Sequence, residues 1–182
     1  MRKLKHHEFK LLKKADFLQW KRDASHRSHA VIRRYRVADP EDYHAYNRLV
    51  GMVTKLAAAL LALPAKDPVR VARTEDLLTR LYELGVISHR NNLEAAAKVT
   101  VSAFCRRRLP VVMVRLKFAE NLNEATALVE QGHVRIGTEV VRDGALCVTR
   151  EMEDVLHWVD TSKIKKKVQQ YNDEVDDYDL MA

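Results

Sequence analysis

The chain has 182 residues, 47% of them hydrophobic, and its 32 Lys+Arg exceed its 25 Asp+Glu to leave a formal net charge of +7. That length and apolar content suit one domain with an extension or two small domains, and they exclude wholesale disorder. Five Gly and four Pro are too few for a strand-rich sandwich or barrel, so the expected class is α+β and mostly helical.

Residues 1–36 form the first segment, a basic N-terminal arm. It holds twelve basic residues, among them Lys3, Lys5, Lys13, Lys14, Arg33, Arg34 and Arg36, against three acids, a surplus of +9. Leu4, Phe9, Leu11, Leu12, Phe17, Leu18 and Trp20 have partly helical spacing but are too few for a core, so ordering against a partner is expected. His26 and His29 lie three apart, yet no cysteine is near enough to complete a zinc site, and no metal or other cofactor is expected.

Residues 37–104 form a helical region that balances at eight basic against eight acidic residues. Asp39-Pro40 reads as an N-cap followed by proline at the first helical position. Tyr46, Leu49, Val50, Val53, Leu56, Ala57 and Leu60 then recur at helical spacing until Pro64 ends the helix. Thr74-Glu75-Asp76 opens a second helix with Gly85 as its stop, and Asn91 to Glu94 resembles a capping box for a third.

Residues 105–160 read as a small unit of two helices and short strands. Proline sits in the first turn of a helix over 110–118, and Asn121 to Glu124 caps another that Gly132 closes. Residues 133–141 alternate and turn as a hairpin, in which His133 and Arg135 share one face; 145–148 and 155–158 are further short strands. From Cys105 to Lys117 there are Arg106, Arg107, Arg108, Arg115 and Lys117 and no acid. If the arginine triplet enters the following helix from a turn, these charges line one ridge. Residues 161–182 are a tail that passes from Lys163, Lys165, Lys166 and Lys167 to Asp173, Glu174, Asp176, Asp177 and Asp179.

Two separate basic concentrations point to a polyanion touched in two places, set against the simpler reading of solvated charge. Aromatic residues interleaved with arginine favour nucleic acid, because rings and guanidinium groups both stack on unpaired bases. Charge alone does not separate RNA from DNA. The run Leu56 to Leu63 is too short to cross a bilayer. Met1 to Glu8 lacks the apolar stretch of a secretory signal, so Cys105 and Cys147 are expected to be reduced thiols, small and at least half-buried.

Several motifs carry a resemblance. Arg106-Arg107-Arg108-Leu109, Val114-Arg115, Phe118-Ala119, Ala125, the run Val129 to Gly137 and Val140-Val141 resemble the RNA-binding domain family named after small-subunit ribosomal protein S-four. Where many members carry Pro-Ser after the second hairpin strand, this chain has Asp143-Gly144-Ala145. Outside that domain, the opening Arg2 to Glu8, Lys10 to Lys14, Arg33 to Arg36, Val148 to Asp154 and Ser162 to Lys165 are similar to a family of U-three small nucleolar ribonucleoprotein components.

The resemblance implies a non-catalytic ribosome-biogenesis factor of the small-subunit processome, located in the nucleolus. Implied partners are U-three small nucleolar RNA, pre-ribosomal RNA, M-phase phosphoprotein ten and other processome proteins, with no membrane and no small-molecule substrate. The RNA-binding set it implies is Arg106, Arg107, Arg108, Arg115, Lys117, His133, Arg135, Arg33, Arg34, Arg36, Lys3, Lys5, Lys13 and Lys14. The alternative is a structural RNA-binding protein of the mature small ribosomal subunit. The domain is also appended to RNA-modifying and aminoacylating enzymes. No phosphate-cradling glycine loop, nucleophile elbow or metal-ligand cluster occurs here, so no enzyme is expected.

Overall fold

The computed structural model describes residues 2–14 and 22–172, with side chains from residue 28 onward in the second stretch. Phe17, Leu18, Trp20, the side chain of His26 and the acidic tail from Asp173 therefore lie outside what is described. Helices α1 (His6–Lys14) and α2 (Arg22–Tyr35) lead into α3 (Pro40–Ala62) and α4 (Pro68–Glu83). Short helices α5 (Leu93–Ala97), α6 (Val101–Cys105) and α7 (Leu109–Arg115) follow, then α8 (Leu122–Glu130). Strands β1 (Val134–Ile136) and β2 (Glu139–Val140), helix α9 (Arg150–Asp154), strand β3 (Leu156–Trp158) and helix α10 (Lys163–Tyr171) complete the described chain. The fold is thus mostly helical with one small sheet, as composition requires.

Helix starts are set by short-range chemistry. Pro40 opens α3 behind Asp39, and Glu41 and Asp42 place negative charge against the positive end of the helix dipole. The Asp67 side chain accepts from Val69 N at 2.9 Å and Pro68 opens α4. That helix therefore starts six residues before the expected Thr74, because Asp67-Pro68 repeats the Asp39-Pro40 signal. The Asn92 side chain accepts from Glu94 N at 2.8 Å and starts α5. The helix expected over 110–118 stops at Arg115, where Lys117 turns left-handed at φ 63° and Phe118 N donates to Met113 O at 2.9 Å.

The sheet is antiparallel in the order β2-β1-β3, with Arg135 paired to Val140 on one side and His157 on the other. The strand expected at 145–148 is absent; a single bridge joins Cys147 to Arg108 there. Arg150 to Asp154 form α9, whose cap is the Thr149 hydroxyl accepting from Met152 N at 3.3 Å. The tail is helical through α10.

Two apolar cores divide the molecule. The first gathers Tyr46, Ala57 and Leu60 of α3, Leu78 and Leu81 of α4, and α5 and α6 through Cys105, with Val31, Ile32 and Tyr35 of α2 packed against it. The second gathers Leu109, Val112 and Met113 of α7, Ala125 and Val129 of α8, Val134, Val148 and Leu156. Leu109, Met113, Val129 and Val134 are fully buried, each stabilising the fold by about 1.5–3 kcal/mol. Only Arg106, Arg107 and Arg108 separate Cys105 in one core from Leu109 in the other.

Candidate nucleic-acid interface

The arginine triplet does not act as one ridge. Consecutive residues in a helical turn step by roughly 100°, so three in a row cannot face one way. Arg106 points to solvent, whereas Arg107 and Arg108 are each only 4% exposed. Arg107 donates to Val148 O through Nε at 2.9 Å and Nη2 at 2.5 Å, and its Nη1 pairs with Glu153. Arg108 Nη1 donates to Asp42 Oδ2 at 2.8 Å and to the Tyr46 hydroxyl at 3.3 Å.

The environments of the two buried arginines differ. Burial pushes the Arg107 guanidinium below its usual value, and Glu153 opposes that shift. Burial also acts on Arg108, but the hydrogen bond to Asp42 and the neighbouring Tyr46 outweigh it and hold its pKa above the usual value. Both side chains thus spend their donors inside the protein. Arg107 ties α6–α7 to α9, and Arg108 ties the start of α7 to α3.

A third arginine, which sequence reasoning missed, completes the junction. Arg150 donates from Nε to Tyr82 O at 2.8 Å and from Nη2 to Ile87 O at 3.1 Å, with its guanidinium 4.1 Å from the Tyr82 ring centre. Arg90 sits 4.3 Å from the same ring. The partners of Arg107, Arg108 and Arg150 lie 41 to 68 residues away in sequence, which no local pattern could have disclosed.

The solvent-facing cations lie around this junction. Arg115 is exposed at the end of α7 and shares Glu153 with Arg107. Lys117 is exposed at the following turn and lines a pocket with Glu120 and Glu124. Protein groups lie against His133 and Arg135: His133 Nδ1 is 3.0 Å from the Ser162 hydroxyl, and Arg135 Nη1 pairs with Asp160 at 3.3 Å. Both face the 160–162 turn, consistent with their shared strand face, but protein groups engage them. Arg142, also missed, is exposed and crosses Gly132, where an added Cβ would lie 3.1 Å from its Nε.

The N-terminal arginine block reaches the same region. Arg36 Nη1 donates to Asn123 Oδ1 at the start of α8, and Arg33, Arg34 and Arg36 line a groove with Leu122 and Asn123. Arg36 itself ends α2 in the left-handed region at φ 46°, with Val37 N donating to Ile32 O at 3.0 Å behind it. Two cation groups far apart in sequence are therefore neighbours across the two cores. Lys3, Lys5, Lys13 and Lys14 stand exposed on and before α1, which buries none of its residues.

Comparison with known proteins accounts for both halves. Residues 3–106 match the ribosomal protein S4/S9 N-terminal domain, and residues 107–154 match the S4 domain. The U3 small nucleolar ribonucleoprotein protein IMP3 of Homo sapiens is 52% identical over 184 residues, covering 100% of both chains. Its counterpart in Saccharomyces cerevisiae is 51% identical over 181 residues, 99% of each. The small ribosomal subunit protein uS4 of Hyperthermus butylicus is 28% identical over 148 residues, 81% of this chain and 83% of that one. With both domain matches in series and end-to-end identity near one half to the first two relatives, the chain belongs to the IMP3 family of U3 small nucleolar ribonucleoprotein proteins.

Proposed function

We propose that the protein is a non-catalytic RNA-binding factor of ribosome biogenesis, working in the nucleolus within the small-subunit processome, where it supports pairing of U3 small nucleolar RNA with pre-ribosomal RNA. The observation that carries the reading is the junction at Arg36–Asn123, which sets Arg33 and Arg34 beside the S4-like half. Arg106 at the end of α6 and Arg115 and Lys117 at the end of α7 are exposed cations on either side of the α6–α7 junction. Clustered cations lower the repulsion between two RNA strands, and arginine forks suit phosphate oxygens. Lys3, Lys5, Lys13 and Lys14 would add outer contacts on α1, while Arg107 and Arg108 act as scaffold and hold the neighbouring cations in place.

A protein partner, M-phase phosphoprotein ten, fits a second surface. Leu49, Met52, Leu56 and Leu63 of α3 and its C-cap are 37–54% exposed at three, four and seven residue steps, a narrow apolar stripe of the kind an amphipathic helix covers. A place in the mature small subunit is the second reading, favoured by the 28% identity to uS4 but over a smaller share of the chain than the IMP3 relatives. Crosslinking the full-length protein to cellular RNA and sequencing the bound fragments distinguishes these. Fragments from U3 RNA and pre-ribosomal RNA are expected. Fragments from mature small-subunit RNA alone, or none, would overturn the proposal.

A further inference from the structure

The S4-domain match stops at residue 154, yet the folded unit does not. Ser162 is 3% exposed; its hydroxyl accepts from Ile164 N at 3.2 Å to start α10 and lies 3.0 Å from His133 Nδ1. Val159 N donates to His133 O at 3.0 Å, and Ile164 packs against the second core. The helix is therefore fastened to the hairpin entry at its first turn.

On α10, Lys163, Lys166 and Lys167 fall at i, i+3 and i+4, which is one ridge of a helix. All three are exposed, and among the described residues none of their ammonium groups has an ion pair or hydrogen bond. Lys165 differs: it projects elsewhere and its Nζ is 2.5 Å from Asp160 Oδ1. Asp160 also meets Arg135, so this acid is already occupied by two cations. Three ammonium groups on one exposed ridge repel one another weakly, and an anion laid along the helix relieves that repulsion.

We infer that α10 is an additional RNA-backbone contact of this protein, in which Lys163, Lys166 and Lys167 engage phosphates of structured RNA that continues past the S4-like surface. The inference rests on the RNA-binding reading above. Lysine acts here as a point charge without base preference, so the contact adds affinity and direction, not sequence selectivity.

The test is binding of a structured RNA hairpin–duplex probe by the full chain across a salt series, comparing the parent with the triple variant K163A/K166A/K167A. Each phosphate contact contributes roughly 0.9 to the slope of log K against log salt on a duplex, so the triple variant should lose about 2–3 slope units. Its affinity should fall roughly 100–1,000-fold at 0.1 M salt and approach that of the parent at 1 M. Alanine preserves helix propensity, and circular dichroism verifies the fold. A parent that binds and a folded triple variant that matches its affinity and slope would overturn the role of α10 alone. A parent that binds no RNA would overturn the underlying reading as well. K165A, which removes an ammonium already paired with Asp160, should shift the slope by well under one unit; a shift equal to that of the triple variant would also refute the ridge.

Discussion

Arg107→Ala separates a buried clamp from a surface contact more sharply than any other change. The substitution deletes two donors to Val148 O and the ion pair with Glu153. Removing one partner of a buried pair costs about 3–5 kcal/mol, and orphaning a buried carbonyl about 1–3 kcal/mol. Glu153 keeps Arg115 and a side chain 20% exposed, which moves the expected loss toward the lower end, about 3 kcal/mol. With a urea m-value of roughly 1.5–3 kcal/mol/M for a chain of this size, the midpoint should fall by about 1–2 M. The comparison is Arg106→Ala, one residue earlier and exposed, which should change stability by less than about 0.5 kcal/mol while weakening RNA binding. Equilibrium urea unfolding followed by tryptophan fluorescence and circular dichroism reads both. Equal midpoints for the two variants, or an R107A protein as stable as the parent with its RNA affinity lost, would refute the assignment of Arg107 to the interior.

Gly85 is held at φ 69°, and a Cβ there would come within 2.6 Å of Arg107 Cζ, so Gly85→Ala should cost about 2–3 kcal/mol in the parent and only about 1 kcal/mol in the R107A background. Additive losses in that double-mutant cycle would mean that the guanidinium contact is not the cause. Burial pushes the Cys105 thiol above its ordinary 9.0, and burial together with the neighbouring Cys147 raises the Tyr46 hydroxyl. Both groups keep their protons in the folded state at pH values where the unfolded chain has lost them. Their contribution is complete below pH 9.0 and declines as pH rises through the folded values, so thermal midpoints should fall from pH 8 to pH 10.5. A midpoint that holds or rises over that range contradicts the burial of these groups.

Much of the fold was legible in local chemistry. Asp39-Pro40, Asn92 and the 133–141 hairpin announce themselves because capping, proline geometry and alternation act within a few residues. Asp67-Pro68 carries the same signal, six residues ahead of Thr74. The short helices α6, α9 and α10 have too few turns for periodicity to stand out, and α10 depends on its anchor at Ser162. Of the candidate site, the charge distribution along the chain shows where the cations concentrate. It could not tell Arg106 from Arg107 and Arg108, since all three are the same residue in one unbroken run.

Composition, caps and apolar spacing by themselves determined a helical chain ending in a small sheet-containing unit, and the arrangement of charge pointed to a polyanion as its partner. Only the tertiary structure decided which cations are available to that partner. Asp42, Tyr46, Val148 and Glu153 turn two arginines inward, Asp160 occupies Arg135 and Lys165, and Asn123 draws Arg36 across to the second core. Each of these pairings joins residues distant in sequence or set by a particular turn. A guanidinium is buried or offered to solvent according to the acceptors that folding brings within about 3 Å of it.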